Sequence, residues 1–147
     1  MHTDQYGFVL NFEYQQRDLT QKGKDVLRVF VLGGSTIFGL GSEKNSDTIP
    51  AQLEVLLNGK RPFSRQKFEV INAGVGAYIT SNELRLLAFK ILKFQPDIVI
   101  TFDGYNDFLN TQTNFSGKSG IRNQKGIEIG SWDLNKTLFD GRAERIF

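Results

Sequence analysis

The sequence of 147 residues has no cysteine, a single histidine (His2), three prolines and a formal charge of only +2. Each shortage removes a class of explanation. Without cysteine there is no disulfide framework and no thiolate metal site, and the redox compartment stays open. A charge this close to zero, with no Lys/Arg cluster standing clear of acidic neighbours, gives no footprint for nucleic acid. No apolar run approaches the roughly 20 residues that span a bilayer. Met1 is not followed by a charged-then-apolar leader; a leader or anchor upstream stays open, and localisation with it. What is plentiful is phenylalanine, thirteen in all, which points to an aromatic core or a partner surface. At 39% hydrophobic and 23% charged residues, the composition is that of a globular chain with one real core.

Three apolar, β-rich runs alternate with two helical patterns. Val26 to Leu32 reads as a strand covered on both faces. Ser46-Asp47-Thr48 with Pro50 marks a helix start, since proline is tolerated in the first turn. Leu53, Val55, Leu56 and Leu57 give that helix an apolar face, and Asn58-Gly59 ends it. Phe68 to Asn72 is the second strand. Thr80 and Glu83 fit a capping box, each side chain satisfying a free N–H of the opening turn. Leu84, Leu87, Ala88, Ile91 and Phe94 recur at helical spacing behind it. Gln95-Pro96 stops that helix, and Asp97 to Phe102 is the third strand. Strand, helix, strand, helix, strand predicts a parallel sheet covered by helices on both sides.

Every strand ends in small or polar residues: Gly33-Gly34-Ser35, Asn72-Ala73-Gly74, and Asp103-Gly104-Tyr105-Asn106-Asp107. Ligands of open α/β sheets sit at the carboxyl ends of strands. Ser35, the loop after Asn72, and Asn106 are therefore expected on one edge. Two glycines let the chain turn sharply after the first strand. They leave the Ser35 hydroxyl at a helix start, where unpaired N–H groups can hold developing negative charge. Taken alone, Ser35 is an ordinary helix cap and Asn106 a turn residue. Asp103 and Asp107 lack His or Cys partners for a metal site and read as solvated or capping carboxylates. Phe8, Phe12 and Tyr14 read as packing groups.

In order, the segments Gly33-Gly34-Ser35 with Gly39, Asn72-Ala73-Gly74-Val75-Gly76-Ala77, and Gly104-Tyr105-Asn106-Asp107 resemble the first three sequence blocks of the SGNH (GDSL-type) hydrolases. This is a broad group of esterases, lipases and carbohydrate deacetylases. The resemblance runs from about Val26 to Asp107, with a looser echo at Asp4 to Phe8. It implies a flavodoxin-like three-layer α/β/α sandwich, incomplete at the C-terminus, with residues 1–25 as a lead-in, 26–110 as the α/β core and 111–147 as a polar loop, lid or insertion. It also implies a serine ester hydrolase. Ser35 would be the nucleophile and lend its N–H to the oxyanion hole, Asn106 would donate from its side chain, and a backbone N–H would come from Ala77. The substrate would be a small ester or an acylated carbohydrate; no metal or organic cofactor is implied.

Two features depart from that pattern. Gly34 stands where the family often has aspartate, a variant found within the group. Ala77 stands where the spacing from Asn72 puts the family's oxyanion glycine. Alanine serves there if its φ is negative; at positive φ it is strained, and Gly76 is the substitute. The family's base is a histidine in an Asp-x-x-His block, and this chain has none; His2 lies at an end expected to fray. Weak turnover or none is therefore expected of these residues alone. A three-stranded sheet also exposes an edge, which favours association. The alternative function is a non-catalytic module binding phosphate or glycan at the strand ends. Gly33-Gly34-Ser35-Thr36 has the look of an anion cradle, without the signature of a P-loop or a dinucleotide site.

Overall fold

The computed structural model describes residues 1–13, 15, 17–60, 67–115, 121–122 and 128–129, with side chains described as far as residue 110. The chain forms two compact units, Met1–Asp107 and Phe108–Phe147. In the first, β1 (Val26–Gly33) lies between β2 (Lys67–Gly74) and β3 (Ile98–Phe102). Both pairings are parallel: Gly33 stands opposite Gly74 on one side and Phe102 on the other. Helices α1 (Ser35–Phe38) and α2 (Ile49–Lys60) separate β1 from β2, and α3 (Thr80–Leu86) opens the connection to β3. The second unit holds most of α4 (Tyr105–Phe115) and a short antiparallel pair, β4 (Ile121–Arg122) and β5 (Glu128–Ile129).

The order β2-β1-β3 dictates which face each helix covers. The chain steps from β1 to β2 in one direction and then back across β1 to β3. Right-handed crossovers in opposite directions must lie on opposite faces. Accordingly Val29, Val31, Phe68 and Val70 pack with Ile37 of α1 and with Leu53 and Leu57 of α2. On the other face Phe30, Leu32, Ile71 and Ala73 pack with Ile91 and Phe94 from the α3 connection. The α/β class and the parallel sheet are thus as the alternation of patterns predicts. Phe8, Phe30 and Phe94 meet edge-on or stacked at centroid distances of 5.4–6.4 Å, so part of the phenylalanine surplus is core.

Several local expectations change. In α2 the inward positions are Pro50, Ala51 and Glu54, while Val55 and Leu56 face solvent. Asn11, reaching from the N-terminal segment, donates to Glu54 Oε2 at 2.5 Å and to Val70 O at 2.8 Å, which allows a carboxylate inside. Past Leu86 the α3 connection passes through a π turn, Leu87–Ile91, and a 3₁₀ turn, Leu92–Phe94. A π turn inserts a residue and rotates the helical face. Leu84 and Ala88 lie outside, while Leu87 packs on the core as expected and Leu86 joins it. Gln95 ends this connection in the left-handed region, φ 54°. Phe8 is buried, Phe12 is exposed, and Tyr14 falls outside the described residues.

The N-terminal residues are built into the sheet edge. Val9 N donates to Asn72 O at 3.1 Å, which covers part of the open side of β2. The buried side chain of Asn45 accepts from His2 N and donates to His2 O and Leu10 O, at 2.7–3.2 Å. The backbone at His2 is therefore fixed rather than frayed. At the opposite end of the sheet Arg28 is wholly buried. Its guanidinium donates to Leu19 O, Gln21 O and Phe94 O and pairs with Glu69 at 2.6 Å, so the charge sits in a nearly complete shell of acceptors. In contrast, β3 is exposed along its whole length, with Ile98, Val99, Ile100 and Phe102 at 37–60% of their full exposure.

Glycines at the strand ends admit the first turn of α1. A Cβ on Gly33 would lie 2.6 Å from Phe102 O, and one on Gly74 would overlap Phe38 N and lie 2.6 Å from Ile37 C. Backbone cannot yield as a side-chain tip can. We predict that Gly74→Ala lowers unfolding free energy in urea by about 1–3 kcal/mol. Gly59→Ala, at a helical site with nothing within 4 Å of the added carbon, raises it by up to about 1 kcal/mol.

Candidate active site

Strand order reverses between β1 and β3, and in open α/β sheets the crevice for ligands opens at such a switch point. The loops leaving β1 and β3 flank it, and the loop leaving β2 reaches across to join them. Val75 N donates to Gly33 O at 2.9 Å, continuing the pairing past the last residue of β2. The chain then turns over Gly76 and Ala77, with Tyr78 N returning to Val75 O at 3.2 Å.

Ser35 is the first residue of α1, a single turn closed by Gly39 in the left-handed region at φ 97°. Phe38 N and Gly39 N find Gly34 O and Ser35 O, at 3.0 and 3.1 Å. The N–H of Ser35 has no partner among the described residues, as expected for an opening helical turn. The Ser35 side chain is half-buried and its hydroxyl makes no hydrogen bond among those residues. Asn106 lies in the opening turn of α4, half-buried, and donates from Nδ2 to Tyr78 O at 2.7 Å. An amide nitrogen carries two hydrogens, so one remains for another acceptor.

Gly34 is where the three loops meet. A Cβ there would lie 2.7 Å from Asn106 Nδ2 and 3.7 Å from Tyr78 O. The Asn106 amide therefore rests directly over the Gly34–Ser35 corner, in space that only glycine leaves free. Ala77 sits next to Tyr78 on the exposed side of the same turn, at φ 63°. This is the positive-φ case, in which a Cβ carries strain. Its N–H has no partner among the described residues. His2 stays apart from this assembly: its backbone is tied to Asn45 and Leu10, and its imidazole is exposed without a hydrogen bond among the described residues.

Two participants, Tyr78 and the inward Glu83, were not legible from sequence spacing. Tyr78 enters through its carbonyl, which any residue possesses. Asp107 does act as a cap, but for the neighbouring helix, accepting from Thr80 N at 3.1 and 3.2 Å. With that N–H satisfied from across the loop, the expected Thr80–Glu83 box does not form. Ile79 is the cap residue, and Asn82 Oδ1 accepts from Ile79 N at 3.3 Å. Glu83 turns inward instead. Only 2% of it is exposed, and neither carboxyl oxygen has a hydrogen-bond donor among the described residues. Burial first, then the Asp103 carboxyl beside it and the charge of Asp107, push Glu83 up to about 7. Among the described residues no group of three or more His, Cys, Asp or Glu is arranged to hold a metal ion.

Comparison with known proteins gives one kind of match. No family model matches the chain, and no curated protein does. Among solved structures it is similar to the SGNH-hydrolase family esterase AlinE4, with a TM-score of 0.49 and 28% identity, over 67% of this chain and 53% of that one. Two mutants of that esterase match over the same shares, with TM-scores of 0.49 and 0.47 and identities of 28% and 27%. The chain spans about half the length of the structures it matches.

Two outcomes follow from the local energetics. Ala77→Gly relieves the left-handed strain but adds freedom to the unfolded chain, for a net gain of up to about 1 kcal/mol in urea unfolding; Ala77→Val loses stability. The second concerns pH. Below pH 4.5 both folded and unfolded chains keep the Glu83 proton, and its stabilising share is complete. Between 4.5 and about 7 only the folded chain keeps it, so stability falls as pH rises and levels off above. Glu83→Gln removes that decline, and at pH 8 its melting temperature exceeds the parent's by on the order of 5 °C.

Proposed function

We propose that these residues form the nucleophile and oxyanion side of a serine ester hydrolase of the SGNH type, acting on a small ester or an acylated carbohydrate. The observation that carries the reading is the seat of Asn106 over the Gly34–Ser35 corner, 2.7 Å from where a Cβ would stand. In the reaction Ser35 Oγ attacks the acyl carbon and its proton passes to a base. The carbonyl oxygen becomes an oxyanion facing the free N–H groups of Ser35 and Ala77 and the second hydrogen of Asn106 Nδ2. Such preset donors stabilise the developing charge without reorganisation, each worth about 10²–10³ in rate. Collapse expels the alcohol, and water then releases the acid from the acyl-serine.

A serine hydroxyl needs that base. The 147 residues contain His2 alone and no Asp-x-x-His, and His2 is held elsewhere. The base is thus not among the groups assembled at the strand ends. With the oxyanion side intact, residual acceleration of about 10³ over water is still expected. Ala77 is favoured over Gly76 as the second backbone donor because it holds the spacing from Asn72, the N–H groups of both being without a partner among the described residues; its positive φ costs stability rather than the donor. The rival reading, an anion-binding module, rests on the same N–H groups. A one-turn helix sums too few peptide dipoles to hold an anion strongly, which favours the hydrolase.

A fluorophosphonate probe distinguishes them. We expect slow, stoichiometric labelling at Ser35, located by peptide mass spectrometry and abolished in Ser35→Ala. Gly34→Ala, which displaces the Asn106 amide, slows labelling by roughly tenfold to a hundredfold with the fold retained. Absence of labelling together with saturable phosphate or glycan binding would overturn the hydrolase reading.

A further inference from the structure

Hydrogen bonds fasten the loops that carry Asn106 and Ala77 to each other. Asn106 Nδ2 donates to Tyr78 O at 2.7 Å, and Thr80 N donates to both oxygens of Asp107 at 3.1 and 3.2 Å. Behind these, one helical turn further along α3, stands the buried Glu83 carboxyl, with no donor to either oxygen among the described residues. The groups facing it are Asp103 and Asp107, both from the segment that carries Asn106, and no cation faces it among the described residues. A buried carboxylate beside a second, exposed one ionises only at a penalty, whereas one proton held between them converts repulsion into attraction. The Glu83 proton therefore has a mechanical consequence. Present, it draws the 103–107 segment onto the first turn of α3; absent, three negative charges push that segment away.

We infer that Glu83 is a positioning residue for the oxyanion side: its protonated carboxyl, shared with Asp103, holds the 103–107 segment against α3 and so keeps the Asn106 amide over Gly34 and Ser35. The role rests on the hydrolase reading of Ser35, but the structural half of it does not. Glu83 itself touches neither Ser35 nor a substrate, and it acts through Asp103 and Asp107. A carboxylic acid with an ordinary carboxylate pKa would supply no proton here at neutral pH; the upward push from burial and from two like charges is what makes it available. The site is thereby active on the acid side of the Glu83 titration and loosened on the alkaline side. Glutamine in its place keeps the size and a donor for Asp103 and carries no charge, so it fixes the clasped state at every pH.

The test reads the clasp and the serine separately. In ¹⁵N-labelled protein, the side-chain amide of Asn106 and the backbone amide of Thr80 are followed from pH 5 to 9. Both shift together with a midpoint near 7 in the parent. Both are flat in Glu83→Gln, and the midpoint falls by a unit or more in Asp103→Asn, where one like charge is gone. Over the same range the fluorophosphonate labelling rate of Glu83→Gln, divided by that of the parent, rises about tenfold from pH 6 to pH 8.5. Titrating amides without any labelling of Ser35 would leave the clasp standing and remove the hydrolase reading. Labelling whose ratio stays constant, with amides that do not titrate or that titrate unchanged in Glu83→Gln, would overturn the role given to Glu83. A merely structural Glu83 would alter melting temperature and leave both pH profiles parallel to the parent's.

Discussion

The closeness of backbone at the carboxyl ends of β1 and β2 is the constraint on which the rest of the site depends. Phe102 O and the first turn of α1 occupy the volume that side chains would fill at Gly33 and Gly74, and the Asn106 amide occupies the volume beside Gly34. Three strands that end in bulkier residues would splay, and the loops behind them would reach different places. Hydrophobic packing fixes the sheet from both faces as far as Leu32 and Ala73, the residues just before the terminal glycines. The glycines determine whether the last few ångströms close.

The opposite end of the sheet is held by a different device. Arg28 collects the carbonyls of Leu19, Gln21 and Phe94 and the carboxylate of Glu69, while its own N–H binds Asp97 at 2.6 Å. The N-terminal segment, the end of the α3 connection and β2 are gathered around one guanidinium, and the start of β3 is tied to the backbone of the same residue. Removing its partners one at a time would leave a buried charge without compensation, so the network favours a single register. A sheet pinned at its base and closed at its top gives the loops between a fixed frame. That frame is what allows the Asn106 amide and the Gly34 corner, from distant parts of the sequence, to be held together.

The fold was largely legible in the sequence because its signals are local. Apolar runs ending at glycines, a proline in the first turn of α2 and the Gln95-Pro96 stop all depend on neighbours within a few positions. Where the pattern misled, a distant residue intervened. Glu54 lies inside because Asn11, 43 positions away, donates to it, and the apolar residues at Val55 and Leu56 face out in consequence. Leu84 lies outside, ahead of a π turn that no spacing rule announces. The expected capping box at Thr80 was displaced by Asp107, 27 positions on. Ser35, Ala77 and Asn106 were named from the resemblance of three motifs to a known family, and the structure brings Asn106 onto the Gly34 corner that precedes Ser35. The buried acid was not legible, because Glu83 in sequence is one more polar residue in a first helical turn.

These features combine in one physical account. Glycine leaves room, a parallel sheet supplies direction, and polar clasps between the loops after β2 and β3 seat the Asn106 amide beside Gly34. The most direct test is a crystal structure of the protein carrying a phosphonyl group on Ser35, whose phosphoryl oxygen mimics the oxyanion. The account predicts that this oxygen lies within 3.2 Å of three donors, the N–H groups of Ser35 and Ala77 and Asn106 Nδ2. An oxygen turned to solvent, with Asn106 withdrawn from Gly34, would contradict it.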